Sequence, residues 1–500
     1  MGTQIDWTAL GVFAFFFLLV TVMGFWASRW RRGDGPTPGP HLDEWGLGGR
    51  SFGTWITWFL VGGDFYTAYT VIAVPALVYA VGAYGFFALP YTIIVYPIVF
   101  LIMPRLWHAA REAGHVTAAD VVYGRYRSRP LELAVALTAV VATMPYIALQ
   151  LVGMQAVIKA LGLTGEIPLA AAFVILALYT YSAGLRAPAL IAFVKDLMIY
   201  IVVLVAVVLV PARLGGYGHV FETAGAAYAA KGGATGLLLK PAQYLPYASL
   251  ALGSALAAFM YPHTLTGIFA AKSADTIRKN AVFLPAYTVL LGLIALLGYM
   301  AHAAGIAVKN NNDVVPALFN ALFPSWFTGF AFAAIAIGAL VPAAVMSIGA
   351  ANLFTRNFWK AYVKPDVTPA GEAGVAKVVS LVVKVGALAI ILVLPTKFAL
   401  DLQLLGGVWI LQTFPAVVFG LFFAWFRAPA LLGGWLVGLA TGTAMAFMDG
   451  VKPVHTFTVG GDHYAVYTGL FALVVNVAVA AVLQLVLGDR GAKPAPAVTG

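Results

Sequence analysis

Apolar residues in this chain come in long runs, and charged residues gather in the gaps between them. Thirteen such runs lie at 7–28, 54–80, 83–103, 133–157, 168–184, 188–211, 246–269, 283–304, 326–350, 377–394, 400–425, 428–448 and 464–487. A helix of roughly 20 residues crosses the ~30 Å hydrocarbon layer of a bilayer. The runs lack the short apolar–polar alternation of an outer-membrane barrel. The pattern predicts an all-α polytopic membrane protein with about 13 transmembrane helices.

Two runs share an unusual make-up. The second carries Gly62–Gly63, Asp64 and Pro75; the seventh carries Gly253, Tyr261–Pro262–His263 and Gly267. Five crossings separate them, so they run in opposite directions. Interrupted helices at corresponding places in two halves predict an inverted five-helix repeat, with a binding site at the breaks. On this reading 1–500 is one transmembrane transporter domain. Residues 52–211 form the first repeat and 246–425 the second, with 7–28 and the two helices of 428–487 peripheral and 488–500 a tail. The ten repeated spans are core helices 1 to 10.

Composition sharpens this. With 62% hydrophobic residues, 10% charged and a mean hydropathy of +0.92, the chain needs lipid as solvent. Arginine and lysine concentrate in alternate loops (Arg29–Arg50, Arg105–Arg129, Lys272–Lys279, Arg356–Lys364). The positive-inside rule makes those loops cytoplasmic in a plasma (inner) membrane, the N-terminus outside and the C-terminal tail inside. The leader Met1–Asp6 is short and acidic without a small-residue cleavage site, so the first span is read as retained. This asymmetry accounts for the net charge of +10. It points to anionic lipid rather than nucleic acid. Zero cysteines exclude disulfides, thiolate chemistry and Cys-based metal sites. No phosphate loop is present, so an ATP-driven engine is not expected. Neither a cofactor nor an obligate protein partner is expected.

The breaks supply the candidate chemistry. A carboxylate such as Asp64 costs at least about 2.5–3.5 kcal/mol in hydrocarbon, so it belongs in a bundle interior or a pathway. A broken helix strands backbone groups that lipid cannot satisfy, unless a ligand, ion or water meets them. Tyr66, Thr67, Tyr69, Thr70 and Tyr261 place hydroxyls around the two breaks. His263, after Pro262, is suited to donate to a carboxylate or shuttle a proton, or else is a satisfied structural histidine. Gln150, Gln155 and Gln412 face a pathway or serve as polar glue between helices. Lys384 is expected to snorkel to the interface, and His302 and Asp401 to lie near outer helix ends.

Four segments then carry a resemblance. Glu44–Trp45–Gly46–Leu47–Gly48–Gly49–Arg50–Ser51 leads into core helix 1, and Val116–Thr117–Ala118–Ala119–Asp120 with Gly124–Arg125–Tyr126–Arg127–Ser128 follows core helix 2. Ser182–Ala183–Gly184–Leu185–Arg186–Ala187–Pro188 with Lys195–Asp196 opens core helix 5, and Ala350–Ala351–Asn352–Leu353–Phe354–Thr355–Arg356–Asn357 ends core helix 8. In this order and topological place they resemble the sodium/solute symporter family, across nearly the whole chain. Gly63–Thr70, Tyr261–Thr264 and Leu340–Ala344 look most like its bacterial monocarboxylate permeases. The resemblance implies a LeuT-like fold and uptake of lactate, pyruvate, acetate, propionate or similar acids by alternating access.

One departure bears on coupling. Sodium-coupled members carry two adjacent hydroxyl residues in core helix 8, where this chain has Val341 and Pro342. Ser347 is the fallback if the alignment slips by about a turn and a half. By the resemblance, core helix 5 borders that sodium site, so Lys195 either places a fixed positive charge there or snorkels to lipid phosphate. The expected coupling ion is a proton carried by Lys195, with Asp64 as a partner; Na+ remains the other possibility. Asp196 is placed on the cytoplasmic ion-exit route, or is a plain interfacial charge, and is expected to point about 100° away from Lys195. The alternative function is sodium-coupled symport of another small solute such as an amino acid. An intramembrane enzyme lacks any accompanying nucleophile or metal motif, and a channel lacks a filter-like motif.

Overall fold

A computed structural model describes residues 5–30, 41–63, 66–165, 167–232, 236–393 and 399–488. Asp64 and the tail from Asp489 lie outside the described residues. Ten described helices are long and apolar enough to cross a membrane. Three expected spans fall outside that set: 168–184 is the shorter helix Ile167–Ala183, and 54–80 and 246–269 are the two interrupted ones. The last expected span also starts later than residue 464. Val454–Val459 (β1) and Asp462–Tyr467 (β2) form an antiparallel hairpin, and the helix runs Thr468–Leu487. Alternating side chains flanking Gly460–Gly461 are the signal for that hairpin.

Both interruptions have local causes. Core helix 1 is α-helical over Thr54–Thr57, widens to a π-helix over Trp58–Gly62, and resumes as Tyr69–Val81. Core helix 6 runs Pro241–Ala258, turns extended at Tyr261 and restarts as Pro262–Ala270. Pro262 sits at the first position of the new helix, where a missing N–H costs nothing. The Thr264 hydroxyl donates to the Ala258 carbonyl at 3.0 Å and so satisfies the end of the first half.

Each break is backed by a glycine on a long scaffold helix. A Cβ on Gly153 of core helix 3 (Arg129–Ala160) would stand 2.3 Å from the Ala68 Cβ. One on Gly349 of core helix 8 (Ser325–Leu353) would stand 2.8 Å from the Pro262 carbonyl. Core helices 3 and 8 are equivalent in a five-plus-five repeat, so the same packing device appears in both halves.

The four motif segments meet at one end of the bundle. Arg186 pairs with Glu44 at 2.6 Å and donates to the Gly48 carbonyl at 3.0 Å. Asn352 donates to the Gly46 carbonyl at 3.3 Å. Asn357 donates to Asp120 at 2.7 Å and to Glu132 at 2.8 Å. Thr117 and Asp120 form a capping box on the short helix Ala118–Tyr126. Phe52 is bonded in both directions to the strand-like turn after core helix 6, through Ala270 and Lys272. The start of core helix 1 and the end of core helix 6 are thereby tied together.

At the other end, Tyr467 closes the hairpin and is fully buried. Its N–H meets the Ser249 hydroxyl of core helix 6 at 2.9 Å, and its own hydroxyl donates to the Leu404 carbonyl of core helix 10 (residues 399–422) at 2.8 Å.

Candidate functional site

The break in core helix 1 is filled by an ammonium group. Lys195 and Asp196, on core helix 5 (Arg186–Arg213), are both fully buried. Lys195 Nζ donates to the Gly63 carbonyl at 2.6 Å and the Tyr66 carbonyl at 3.2 Å, and pairs with Asp196 Oδ1 at 3.0 Å. Those are three acceptors for the three N–H donors of an ammonium. Asp196 Oδ2 accepts from the Tyr287 hydroxyl at 2.7 Å. Lys195 therefore does not snorkel to an interface, and Asp196 is not an interfacial charge. Adjacent helical residues do diverge at Cβ, but the four-carbon lysine stem swings Nζ back over its neighbour as both reach into one gap.

The glycine pair of core helix 1 makes room for this cluster. A Cβ on Gly63 would lie 2.8 Å from Lys195 Nζ, and one on Gly62 would lie 2.3 Å from the Tyr287 ring. Around the same break, Gln150 Oε1 accepts from the Ala68 N–H and Thr67 Oγ1 from the Tyr69 N–H, each at 3.0 Å. Gln150 and Thr67 thus satisfy backbone donors that the break exposes. Tyr66 is buried with its ring 4.5 Å from that of Tyr287, and Thr70 is buried in the resumed helix.

On core helix 8, Val341 and Pro342 are buried and carry no side-chain oxygen. Ser347 is buried too, its hydroxyl donating to its own helix at the Ala344 carbonyl, 2.8 Å away.

The break in core helix 6 is different. His263 is buried with its ring 5.3 Å from Tyr146 and 5.4 Å from Tyr261. A cavity opens beside these three rings, walled by Tyr91, Val95, Val99 and Gln403 among others. Tyr69 packs edge-on against Tyr91, with centroids 6.2 Å apart. The Tyr261 hydroxyl donates to the Gln403 carbonyl at 2.9 Å. Among the described residues, the Tyr69 hydroxyl, His263 Nδ1 and Gln403 Oε1 are buried without a hydrogen-bond partner. Buried polar atoms are nearly always paired, so each of these three has room for one further hydrogen bond, and His263 and Gln403 line the cavity itself.

Sequence reasoning named Tyr69, Tyr261, His263, Lys195 and Asp196, and missed Tyr287, Gln403, Tyr146 and Tyr91. Those four lie on helices 2, 3, 7 and 10, whose rotation relative to the breaks no local motif reveals. Gln412 acts as glue, donating to Val408 and accepting from Asn476 at 3.2 Å, while Gln155 is exposed. Lys384 is buried rather than snorkelling. His302 stacks on Tyr79 with centroids 4.1 Å apart.

Two interrupted core helices packed together within a bundle of apolar helices, with an ionic cluster at one break and orphaned polar atoms at the other, define a LeuT-like secondary transporter. The sodium:solute symporter family model matches residues 45–438, and the chain belongs to that family. It is a multi-pass membrane symporter of a small solute, not an enzyme. A monocarboxylate transport permease protein of Rhizobium johnstonii is 72% identical over 97% of this chain and 98% of that protein. An uncharacterized symporter of Bacillus subtilis, YodF, is 32% identical over 97% and 95%. Among solved structures, the substrate-bound outward-open state of a Na+-coupled sialic acid symporter superposes with a TM-score of 0.77. It covers 98% of this chain and 100% of its own at 14% identity, a likeness of fold alone.

Proposed function

We propose that this symporter imports a small monocarboxylate, of the lactate, pyruvate, acetate or propionate type, and couples uptake to protons through Lys195 and Asp196. The observation that carries the coupling is the Lys195 ammonium on the Gly63 and Tyr66 carbonyls. Sodium is a hard cation that needs several oxygens, and Val341 and Pro342 offer none from their side chains. The Ser347 hydroxyl is already engaged within its own helix.

Protonation then sets the shape of core helix 1. The ammonium has one N–H for each of Gly63, Tyr66 and Asp196, and a neutral amine would leave one of these acceptors unmet. Release of the proton when one end of the bundle opens loosens the break, and rebinding from the other end restores it. Asp196, itself held by the Tyr287 hydroxyl, keeps the amine in place.

The carboxylate of the solute belongs at the second break. The Tyr69 hydroxyl and a His263 N–H are its donors, and the Gln403 amide supplies a third when its NH2 is turned inward. Tyr261 and Tyr146 fix the His263 ring, and Val95, Val99 and Tyr91 receive the short apolar body. The name of the Rhizobium relative supports this substrate class. The crowding of basic residues in alternate loops supports insertion in the inner membrane with the N-terminus outside.

The test is uptake of lactate and propionate into proteoliposomes with sodium and proton gradients imposed separately. Accumulation driven by protons alone, and lost in Lys195→Gln, is the expected result. Uptake that requires sodium would reject proton coupling and favour sodium symport of the same or another small solute.

A further inference from the structure

A second cavity, of about 420 Å³, lies at the basic-loop end of the bundle. Its walls are the end of core helix 2 (Ala83–Glu112), the helix Ala118–Tyr126 and residues 416–421 of core helix 10. None of the coupling cluster or the aromatic pocket lines it. Two glycines shape it. A Cβ on Gly124 would lie 2.5 Å from the His115 ring, and one on Gly420 would lie 2.8 Å from the Tyr126 hydroxyl.

Its polar lining is unfinished. Arg125 donates from one terminal nitrogen to the Phe423 carbonyl at 3.2 Å. Arg125 Nε and Nη1 are buried without a partner among the described residues, as is His115 Nδ1. Arg127 also lines the cavity, with its guanidinium 5.9 Å from the Tyr123 ring, and Glu112 stands exposed at the rim. Two guanidinium groups against one carboxylate leave an excess of one positive charge, and the idle groups are hydrogen-bond donors, His115 Nδ1 in the tautomer that carries its proton there. Each of those guanidinium N–H groups can donate one further hydrogen bond to an acceptor that enters the cavity. Burial also pushes the Arg125 guanidinium down from its ordinary value, as expected of a desolvated cation.

We infer that this cavity binds an oxyanion group, either the carboxylate of a soluble acid or the phosphate of a lipid headgroup, on Arg125, with His115 as a further donor. In its soluble-acid form the inference rests on the monocarboxylate reading above; in its phosphate form it does not. The site stands apart from the aromatic pocket, so the full-length protein carries two anion sites.

The experiment is a thermal-shift titration of the purified full-length protein in nanodiscs, with inorganic phosphate and with lactate as probes. Wild type, Arg125→Gln, Arg125→Lys and His263→Gln are compared in phosphatidylcholine alone and in phosphatidylcholine with phosphatidylglycerol. The expected result in phosphatidylcholine is a saturable phosphate shift that Arg125→Gln weakens about tenfold or more, Arg125→Lys weakens less, and His263→Gln leaves intact. If phosphatidylglycerol suppresses that shift in wild type, the natural occupant is lipid phosphate; if the shift persists, it is a soluble anion. Loss of the lactate response with the phosphate response kept would remove the monocarboxylate reading and leave this site standing. Identical phosphate titrations for wild type and Arg125→Gln in both lipids would overturn it. If Arg125→Gln does not fold, His115→Gln is titrated in its place, with the same expectation and the same overturning result.

Discussion

The two breaks occupy equivalent places in the repeat, are backed by equivalent glycines on core helices 3 and 8, and yet end in opposite chemical states. Core helix 5 delivers Lys195 to the first break, where an ammonium meets three oxygens, those of Gly63, Tyr66 and Asp196. Core helix 10, its counterpart, delivers Gln403 to the second, where the side-chain oxygen and the neighbouring Tyr69 and His263 atoms stay unpaired. The contrast teaches that a broken helix in a membrane has two stable uses. It can be closed by the chain's own charge, or kept open for a guest that brings the missing partner.

This difference can be broken by substitution, and the largest effect belongs to the closed side. Lys195→Ala would leave Asp196 buried and uncompensated, a loss of about 3–5 kcal/mol in stability. Pairing it with Asp196→Asn is expected to recover much of that loss in detergent unfolding curves, with proton-driven uptake still absent. Next come the clearances: Gly62→Ala and Gly63→Ala push a methyl into Tyr287 or Lys195 and are expected to cost about 1–3 kcal/mol each. Differential scanning fluorimetry checks this, and an unchanged melting temperature would mean that the cluster does not depend on close approach.

On the open side the sign of the effect changes from stability to affinity. His263→Gln and Tyr69→Phe are expected to weaken solute binding by about 10–100-fold, or roughly 1.4–2.7 kcal/mol, while melting temperatures hold. Equilibrium binding of labelled propionate separates the two quantities. Smallest is Val99→Ala, which enlarges the wall of the cavity. It is expected to shift preference toward longer acyl chains by about 10-fold or less, read as competition between propionate and butyrate.

Much of this architecture is written locally. Glycine pairs, Pro262 and the spacing of apolar runs suffice for interrupted helices in two halves, because each acts within a turn or two of itself. Lys195 was likewise conspicuous as a charge within an apolar run. Its pairing with Asp196 was not legible, since it depends on where a flexible stem finds acceptors on another helix. The purpose of Gly62 and Gly63 was half legible. They read as helix weakeners, but the clearance they give to Tyr287 and Lys195 is a tertiary fact. Tyr91, Tyr146 and Gln403 sit in ordinary helical sequence, and only the packed bundle turns them toward one cavity. The hairpin at Val454–Tyr467 was within reach of the sequence, through its Gly460–Gly461 turn, and its second strand was instead read as the start of a span.

Tyr467 has a mechanical consequence. Its ring and hydroxyl occupy space that side chains on Gly253, Gly407 and Gly469 would fill, with added carbons standing 2.3, 2.2 and 2.9 Å away. One tyrosine therefore works as a dowel through three helices: the first half of core helix 6, core helix 10 and the peripheral helix behind them. Pieces pinned at a common point lose their freedom to slide past one another there. Any rocking that exposes the solute to alternate sides must carry these three as one lever arm, and the exposed strands of the hairpin form a handle on it.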